Sequence, residues 1–340
     1  MKVLAGDIGG TNSRFLIAEV GEEGVSVRFA RSLSSIGHSS FQSALDSFLD
    51  RAGDEAKGLA SACFAIAGPV EAGIGRVTNL PWVLESDELG ERLGAGVCLI
   101  NDFEAIGWGL EALEAGDIHV LQEGSPLDQA TRALIGAGTG LGQALMNWCG
   151  DHYRMHATEG GHTDFAPQDG LQIALLSHLL RRYSHVSYER LVSGAGLAAI
   201  FEFLREHHGR CPSPALTQAM ASGDPSAAVS RFGLSGTDPL AREALDLFIA
   251  IYGAQAGNLA LTCLPRGGLY VAGGIAPKIL SRMREGGFMR AFLHKGRMRE
   301  ILERVPVRVV LDEAIGLRGA ALAAWRRGTR GIEMPVSALI

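Results

Sequence analysis

Cysteine is scarce and scattered in this sequence of 340 residues. The five cysteines form no CxxC pair, and an odd number of them is a poor framework for disulfides. Proteins of reducing compartments keep such thiols free. We therefore expect reduced cysteines and a cytoplasmic protein.

Long apolar runs and blocks of one charge are also missing. No apolar run approaches the ~20 residues that span a bilayer. Asp7 interrupts the short apolar run at the N-terminus, which is therefore not expected to be a signal peptide. The formal net charge is −6, and no block rich in Lys and Arg stands out. Neither a membrane nor a nucleic acid is an expected partner.

Apolar residues and glycine, by contrast, are plentiful. Hydrophobic residues make up 47% of the chain and charged residues 20%, which is ordinary for a globular enzyme and excludes a disordered protein. The length suits one large domain or two medium ones with a sizeable core. The 45 glycines indicate many loops with unusual backbone angles or close contact with a ligand.

The predicted elements are first rich in strands and then rich in helices. Three strands are predicted in quick succession at the N-terminus, and two more buried strands follow an intervening helix. Two strands joined by a glycine turn open the second part. Helices are predicted over residues 39–53, 170–182, 190–208, 238–263 and 314–328. This order predicts an α/β protein with two lobes that divide near residue 110.

The segment "GVCLINDFEAIGWGL", residues 96–110, changes from a buried strand to a helix at two polar residues. The apolar spacing after them predicts a helix that runs to about residue 116. Asn101 and Asp102 could cap this helix. They could also act on a ligand, because ligands of open α/β sheets bind at the carboxyl ends of strands. One residue suffices for a cap, so the adjacent pair favours chemistry, and both roles can hold at once.

Three glycine-rich turns are predicted at strand ends: "GDIGGTN" from Gly6, "GAGTGLG" from Gly136 and "VAGGIA" from Val271. Backbone amides crowded in such turns bind anions, and phosphate is the common one. Asp7 interrupts an apolar strand, which is costly without a partner, and a metal ion bridged by water is one such partner. One such turn means little, whereas three of them with a strand-end Asn-Asp pair form a specific set.

Two common nucleotide motifs do not explain these glycines. No segment matches the GxxxxGK[ST] pattern of P-loop enzymes. The segment "GAGLAA", residues 194–199, formally fits a dinucleotide pattern. Charges precede it where a buried strand should be, and no acidic residue follows at the expected distance. A structural glycine pair before a helix is the better interpretation.

Together these motifs resemble those of the bacterial glucokinase family, the group related to the E. coli-type enzyme. "GDIGGTNSR" and "IGAGTGLGQAL" are similar to its two phosphate motifs, "INDFEAIGWGL" to its catalytic-base segment and "VAGGIAPK" to its adenosine motif. "TEGGHTDFAP" and "YERLVSGAGL" are similar to its sugar-binding segments. The resemblance covers nearly the whole chain.

The resemblance implies an α/β, two-lobed, actin-like ATPase fold related to ribonuclease H, with a ligand cleft between the lobes. The small lobe would comprise residues 1–110, completed by a helix over about 312–328, and the large lobe residues 111–311. ATP accompanied by Mg²⁺ would phosphorylate the 6-hydroxyl of glucose, the first step of glycolysis, and a homodimer would be usual. The clustered Cys and His of the related repressor and kinase group are absent, so a structural zinc is not expected.

The resemblance also assigns roles to residues, motif by motif. Asp102 would be the general base, and Asp7 would hold Mg²⁺ through water. The sugar would contact Asn101, Asp102, Glu159, His162 and Glu189. The nucleotide would contact Gly6, Asp7, Ile8, Gly9, Gly10, Thr11, Gly138, Thr139, Gly140, Gly273 and Gly274. Valine at Gly138 or Gly140 is expected to weaken nucleotide binding and to spare glucose binding.

Several alternatives stay open at this point. A kinase for another hexose or an amino sugar would be hard to distinguish, and so would one that uses ADP or polyphosphate. A sugar-responsive transcriptional regulator on the same fold would need a DNA-binding segment before the first turn, where only five residues precede Gly6. A dinucleotide-dependent oxidoreductase would rest on "GAGLAA" alone. Without the other motifs, Glu159 and His162 would be taken for a surface loop.

Overall fold

The computed structural model describes residues 1–330, which fold into two compact units. One unit comprises Met1–Ala115 together with residues 312–330, and the other comprises Gly116–Leu311. Each unit has its own sheet and its own hydrophobic core. The sequence places a functional boundary after residue 110, and that division stays a prediction.

The first unit is built on a five-stranded sheet beside a small three-stranded one. Its elements up to residue 109 are β1 Lys2–Ile8, β2 Asn12–Gly21, β3 Gly24–Ser34, α1 Phe41–Ala52, β4 Ser61–Ile66, β5 Val70–Glu71, β6 Ile74–Arg76, β7 Val83–Glu85, α2 Ser86–Leu93, β8 Gly96–Asn101 and α3 Asp102–Gly109. The strand orders are β3-β2-β1-β4-β8 and β5-β6-β7.

Three neighbouring strands of the larger sheet are parallel, β1 with β4 and β4 with β8. Their interiors are almost continuously buried, which is why the sequence shows apolar runs instead of alternation. Ile8 pairs with Ile66, and Ile66 pairs with Asn101. The segments that follow β1 and β8 therefore lie at the same carboxyl edge of the sheet.

Phenylalanine rings form the core on one face of this sheet. Phe15 of β2 stacks on Phe48 of α1 at 5.1 Å between ring centroids. Phe41 of α1 meets Phe64 of β4 edge-on at 5.1 Å. All four rings are fully buried. Their packing holds α1 against β2 and β4, on either side of β1.

The second unit has a six-stranded sheet and most of the helices. Its elements are β9 Ile118–Gln122, β10 Arg132–Ala137, β11 Leu141–Trp148, β12 Tyr153–Thr158, α4 Gly170–Leu179, α5 Gly194–His208, α6 Pro214–Ser222, α7 Pro225–Ser235, α8 Pro239–Cys263, β13 Gly268–Ala272, α9 Ala276–Met283, α10 Gly287–Leu293, α11 Arg299–Leu302 and β14 Val307–Val310. The strand order is β12-β11-β10-β13-β14-β9. Because β10 and β13 are parallel, with Gly136 opposite Ala272, both end at one edge.

The last described element is α12, Ile315–Arg330, which belongs to the first unit and packs against α3, β1 and β4. The two helices α3 and α12 approach each other very closely. A Cβ at Gly319 of α12 would lie 1.8 Å from the Ala105 carbonyl oxygen of α3. Only glycine fits at this crossing.

The helix α8 corrects one inference from the sequence. It is long and apolar enough to cross a membrane by length and composition, so the statement that no run approaches that size is wrong. Its apolar window is 78% buried inside the protein, where it packs against α5, α7 and α10. Among residues 1–330 it is the one helix that passes this test. Such burial is expected of a core helix.

The predicted element order is confirmed, with corrections to several helices. The helix after β8 ends at Gly109, not near residue 116, and a 3₁₀ turn over Leu110–Ala112 follows it. The helix predicted over 190–208 begins at Gly194. The short helices α6 and α7 were not predicted. Each begins with a proline behind a capping residue, Ser213 or Asp224.

Candidate active site

The junction between β8 and α3 has a complete N-terminal cap. Asn101 is the N-cap residue, and its Oδ1 accepts a hydrogen bond from the Phe103 backbone N–H at 2.9 Å. Its Nδ2 donates to the Gly68 carbonyl oxygen at 3.2 Å. The Glu104 side chain accepts from the Asn101 backbone N–H, which gives the reciprocal pairing of a capping box. The cap of this helix is therefore complete without the Asp102 side chain.

Asp102 is the first residue of α3, at the carboxyl edge of the sheet. Burial, and after it the negative charge of Asp7, raise the pKa of Asp102 to about 6. The hydrogen bond from the Phe103 N–H to its Oδ1, at 2.9 Å, opposes this rise. A carboxylate whose pKa lies near the operating pH is well suited to act as a general base.

Asp7 lies in β1, directly opposite Arg14 of β2. Burial raises the pKa of Asp7, and the positive charge of Arg14 opposes that rise. Asp7 in turn raises the pKa of Asp102, so the two carboxyl groups sense each other's charge. Carboxylate oxygens are the ligands that Mg²⁺ prefers, and a cation here would lower the cost of both buried charges.

Glu104 is a third carboxyl group with a raised pKa, and the sequence analysis did not single it out. Burial raises its pKa to about 7, although the Asn101 N–H bonded to it opposes the rise. A signal for it was present, because an N-cap residue followed three places later by Glu is the spacing of a capping box. Its position in the cap indicates a structural role beside Asp102.

The turn after β1 needs glycine for space and not for backbone angle. Neither Gly9 nor Gly10 has a left-handed φ, so a hairpin that merely demands positive φ does not explain them. A Cβ at Gly10 would lie 3.1 Å from the Thr78 carbonyl oxygen. A Cβ at Gly6 would lie 2.6 Å from the Phe64 ring, so that glycine serves the core.

Other residues that are predicted to bind the nucleotide differ in their exposure to solvent. Ile8 is fully buried in the core. Thr11 and Thr139 are exposed at the tips of their turns.

The turn between β10 and β11 is closed by a hydrogen bond from the Gly138 N–H to the Gly140 carbonyl oxygen at 2.8 Å. A Cβ at Gly138 would meet nothing within 4 Å, so a ligand can approach the backbone there. A Cβ at Gly140 would lie 2.5 Å from Oε2 of Glu189. A side chain at Gly140 would therefore crowd the Glu189 carboxylate, whereas one at Gly138 would not, and the expectation that valine at either position spares glucose binding stays a prediction.

The turn after β13 meets the same edge of the sheet. Gly273 has a left-handed φ of 83°, and a Cβ there would lie 2.5 Å from the Ala137 carbonyl oxygen. The Ile275 N–H donates to that same oxygen at 3.2 Å. A Cβ at Gly274 would meet nothing within 4 Å. The two glycine turns of this unit are thus adjacent, and each has one position open to a ligand.

Three predicted sugar residues converge in the second unit. Nε2 of His162 lies 3.7 Å from Oε2 of Glu159 and 3.8 Å from Oε1 of Glu189. The Glu189 N–H donates to the Gly161 carbonyl oxygen at 2.9 Å, and its Oε2 accepts from the Leu141 N–H at 3.0 Å. Glutamates supply acceptors and His can supply either kind of group, which is what sugar hydroxyls need.

The predicted site residues therefore form one set in each unit. Asp7, Asn101 and Asp102 lie at the carboxyl edge of the first sheet. Glu159, His162 and Glu189 lie together beside the turn after β10 in the second unit.

The "GAGLAA" segment proves to be structural. It opens α5, and Ser193 caps the helix by accepting from the Gly196 N–H at 3.1 Å. A Cβ at Gly196 would lie 2.4 Å from the backbone of Leu191. No strand immediately precedes it, so the dinucleotide interpretation is excluded.

Solved structures define the class of this fold. A glucokinase from an Antarctic psychrotroph is 29% identical, with a TM-score of 0.82, over 96% of this chain and 99% of that one. A ROK family glucokinase from Streptomyces griseus, solved with glucose and AMPPNP, is 21% identical with a TM-score of 0.67 over 96% and 100%. The chain has the two-lobed, actin-like ATPase fold of these sugar kinases.

Sequence comparisons are more specific. The family model described as Glucokinase matches residues 4–327. Glucokinase of Nostoc punctiforme is 42% identical over 339 residues, which cover 95% of this chain and 99% of the relative. Glucokinase of Synechocystis sp. is 43% identical over 345 residues, which cover 94% and 97%. The chain belongs to the glucokinase family.

Proposed function

We propose that this protein transfers the terminal phosphoryl group of ATP to the 6-hydroxyl of D-glucose, giving glucose 6-phosphate and ADP. The observation that carries the proposal is Asp102, a carboxyl group with a pKa of about 6 at the carboxyl edge of a parallel sheet. Family membership supports the reaction, because relatives over 40% identical along nearly the whole chain are glucokinases.

Asp102 is the proposed general base. Its carboxylate would accept the proton of the sugar 6-hydroxyl as the oxygen attacks the phosphorus. Asn101 would contact the sugar from the same edge, although its cap and its bond to Gly68 already use one donor and one acceptor. Glu159, His162 and Glu189 would bind the remaining hydroxyls.

The glycine turns are the proposed phosphate-binding elements. Gly138 and Gly274 each leave space beside the backbone, which supports close approach of a nucleotide. The first turn, from Gly6 to Thr11, would contribute further backbone amides. Asp7 would hold Mg²⁺ through water, and bound Mg²⁺ neutralises charge on the phosphates.

An assay for ADP release over a panel of sugars tests the proposal. The panel should hold glucose, mannose, fructose, galactose and N-acetylglucosamine, each with ATP, ADP or polyphosphate as the donor. We expect release that depends on glucose and ATP, and glucose 6-phosphate as the product. Turnover of another sugar at higher kcat/KM would reassign the substrate, and no turnover with any hexose would refute the kinase.

Three further proposals rest on the family resemblance: a homodimer, a cytoplasmic location and a place at the entry to glycolysis. The scattered cysteines support a reducing compartment. Light scattering on the purified protein would determine the oligomeric state, and a monomer at working concentration would refute the dimer.

A further inference from the structure

Two amide side chains of helix α8, Gln255 and Asn258, form a hydrogen-bond network that reaches the turn Gly160–His162. Gln255 is only 4% exposed, and its Nε2 donates to the Gly160 carbonyl oxygen at 3.3 Å. The same Nε2 lies 3.5 Å from Oγ1 of Thr163. The turn between Glu159 and His162 is thus hydrogen-bonded to a buried side chain of α8.

Asn258, one helical turn further along α8, fixes the orientation of Gln255. Its Nδ2 donates to Oε1 of Gln255 at 3.0 Å, so Gln255 must present its NH₂ group to Gly160. The same Nδ2 lies 2.9 Å from the hydroxyl of Tyr188. In both contacts the Asn258 amide nitrogen faces Gln255 and Tyr188, and its oxygen faces Lys295.

Lys295 determines that orientation. Its Nζ donates to Oδ1 of Asn258 at 2.6 Å. An ammonium group has donors only, so the atom of Asn258 that faces it must be the amide oxygen. A flipped amide would place two donors against each other. The direction of every hydrogen bond from Lys295 through Asn258 and Gln255 to Gly160 follows from this one constraint.

The second branch of the network reaches the other sugar segment. Tyr188 is 2% exposed, and its backbone N–H donates to the Thr163 carbonyl oxygen at 3.0 Å. The next residue, Glu189, donates its N–H to the Gly161 carbonyl oxygen at 2.9 Å. Both branches therefore end on the segments that carry Glu159, His162 and Glu189.

The turn has hydrogen bonds of its own, from the His162 N–H to the Glu159 carbonyl oxygen at 2.9 Å and from Oγ1 of Thr163 to the Gly160 carbonyl oxygen at 2.9 Å, but its two glycines cannot stiffen it. Gly160 and Gly161 have no side chains, and glycine loses more conformational freedom on ordering than any other residue. A Cβ at Gly161 would lie 1.9 Å from the Leu141 carbonyl oxygen, so no larger residue could stiffen that position. The hydrogen bond from Gln255 of α8 therefore adds a support from outside the turn to the local ones.

We propose that Lys295, Asn258 and Gln255 are positioning residues, which hold the Glu159–His162 turn and Glu189 in the geometry that binds the sugar. The inference rests on the proposed function, because it assumes that these carboxylates and the imidazole contact glucose. It assigns no contact with the substrate to the three residues themselves.

The first test replaces Gln255 by methionine, which keeps the length of the side chain and removes the donor. Loss of a buried hydrogen bond to the turn should raise the glucose KM about ten-fold while the ATP KM changes less than about two-fold. Amide hydrogen exchange of residues 158–166, measured in the absence of ligand, should be faster in the variant than in the wild type.

Gln122→Met is the matched control. Gln122 belongs to the same unit, and its Nε2 also donates to two backbone carbonyl oxygens, those of Leu302 and Val305. The same substitution there should leave the glucose KM and the exchange of residues 158–166 unchanged. An equal effect in both variants would overturn the proposal, because it would reflect general loosening of the unit.

A second test reverses polarity without changing shape. Asn258→Asp keeps the pairing with Lys295 but removes the donor to Gln255, which must then turn its own NH₂ toward Asp and its oxygen toward the Gly160 carbonyl. We expect the same rise in glucose KM and faster exchange as in Gln255→Met. Lys295→Met should act in the same direction, and it serves if either amide variant fails to fold.

The outcomes separate this inference from the proposed function. Wild-type protein that phosphorylates no hexose refutes the function, whereas the exchange measurement still reports on the turn. Unchanged glucose KM in Asn258→Asp and Lys295→Met overturns the inference while the kinase stands. Faster exchange with an unchanged glucose KM also overturns it, because the network would then support the fold alone.

Discussion

At Asp102, burial and the charge of Asp7 act in the same direction on the carboxyl group, and both raise its pKa. Asn101 and Glu104 complete the cap of α3, and Asn101 accepts from the same Phe103 N–H as Asp102, so the cap does not depend on the Asp102 carboxylate. A buried charge that destabilises its surroundings and is not needed for the helix is a strong candidate for chemistry.

This cost predicts how stability depends on pH. The folded-state pKa of Asp102 is raised to about 6. Its protonated form therefore stabilises the fold below the unfolded pKa, and that contribution is lost as the pH rises through about 6. Asp102→Asn should be more stable than wild type at pH 8 by up to about 3 kcal/mol, with the difference vanishing near pH 4.

Denaturant unfolding of both proteins across that pH range measures the effect. Asn at this position can still accept the Phe103 N–H, so the local geometry is retained. A variant that is less stable than wild type at pH 8 would show that the carboxylate is a structural cap after all.

The two glycines of the turn after β10 should respond differently to valine. At Gly138 the new side chain enters open space beside the backbone, so it should weaken ATP binding and leave glucose binding intact. At Gly140 it would displace Glu189, whose Oε2 lies 2.5 Å from the Cβ position, so glucose binding should fall as well. Calorimetry with each ligand separately distinguishes them, and identical ligand profiles would contradict the assignment.

At the scale of elements, the crossing of α3 and α12 predicts opposite effects on stability for alanine at two glycines of α12. Gly319→Ala would place a Cβ 1.8 Å from the Ala105 carbonyl oxygen and force the helices apart. We expect a loss of about 1–3 kcal/mol, as for other overpacked cores. At Gly316 the nearest atom, Cγ1 of Ile106, would be 3.7 Å away.

Gly316→Ala is therefore the control in the same helix. Alanine favours helix over glycine by up to about 1 kcal/mol, so this variant should be as stable as wild type or slightly more so. Thermal unfolding of both variants decides the matter. Equal melting temperatures would mean that α12 can shift to accommodate a side chain.

The sequence predicts elements where pattern and local signals agree. The parallel strands β4 and β8 are continuous apolar runs, and α1 has its Ser40 cap and a closing glycine. The helix α3 ends at Gly109, earlier than its apolar spacing indicates. The apolar spacing of the sequence cannot show that Gly109 packs against Ile315. A Cβ at Gly109 would lie 2.4 Å from the Ile315 carbonyl oxygen.

The candidate site is also predictable only in part, because some of its contacts arise only from packing. The Asn-Asp pair, Glu159 and His162 stand at visible turns, and motif resemblance finds them. Gln255 and Asn258 lie in a helix whose sequence is that of an apolar core helix. Lys295 is 37 residues from Asn258 along the sequence. Their connection exists only in the packed unit, where burial makes each hydrogen bond matter.

At the scale of the whole molecule, we expect turnover to require a divalent cation and sugar binding not to require one. Buried Asp7 and Asp102 favour a cation, whereas Glu159, His162 and Glu189 belong to the other unit. Chelation with EDTA should abolish ADP release, and Mg²⁺ should restore it. Glucose binding measured by calorimetry should survive chelation, and full activity in EDTA would contradict the role of Asp7.

The most direct test of the central claim is the turnover of Asp102→Asn with glucose and ATP. Proton removal by a general base contributes about 10²–10⁴-fold in such reactions. We therefore expect kcat to fall by about that factor, while glucose binding changes far less and the folded fraction stays complete. A variant that turns over at nearly the wild-type rate per folded molecule would contradict it.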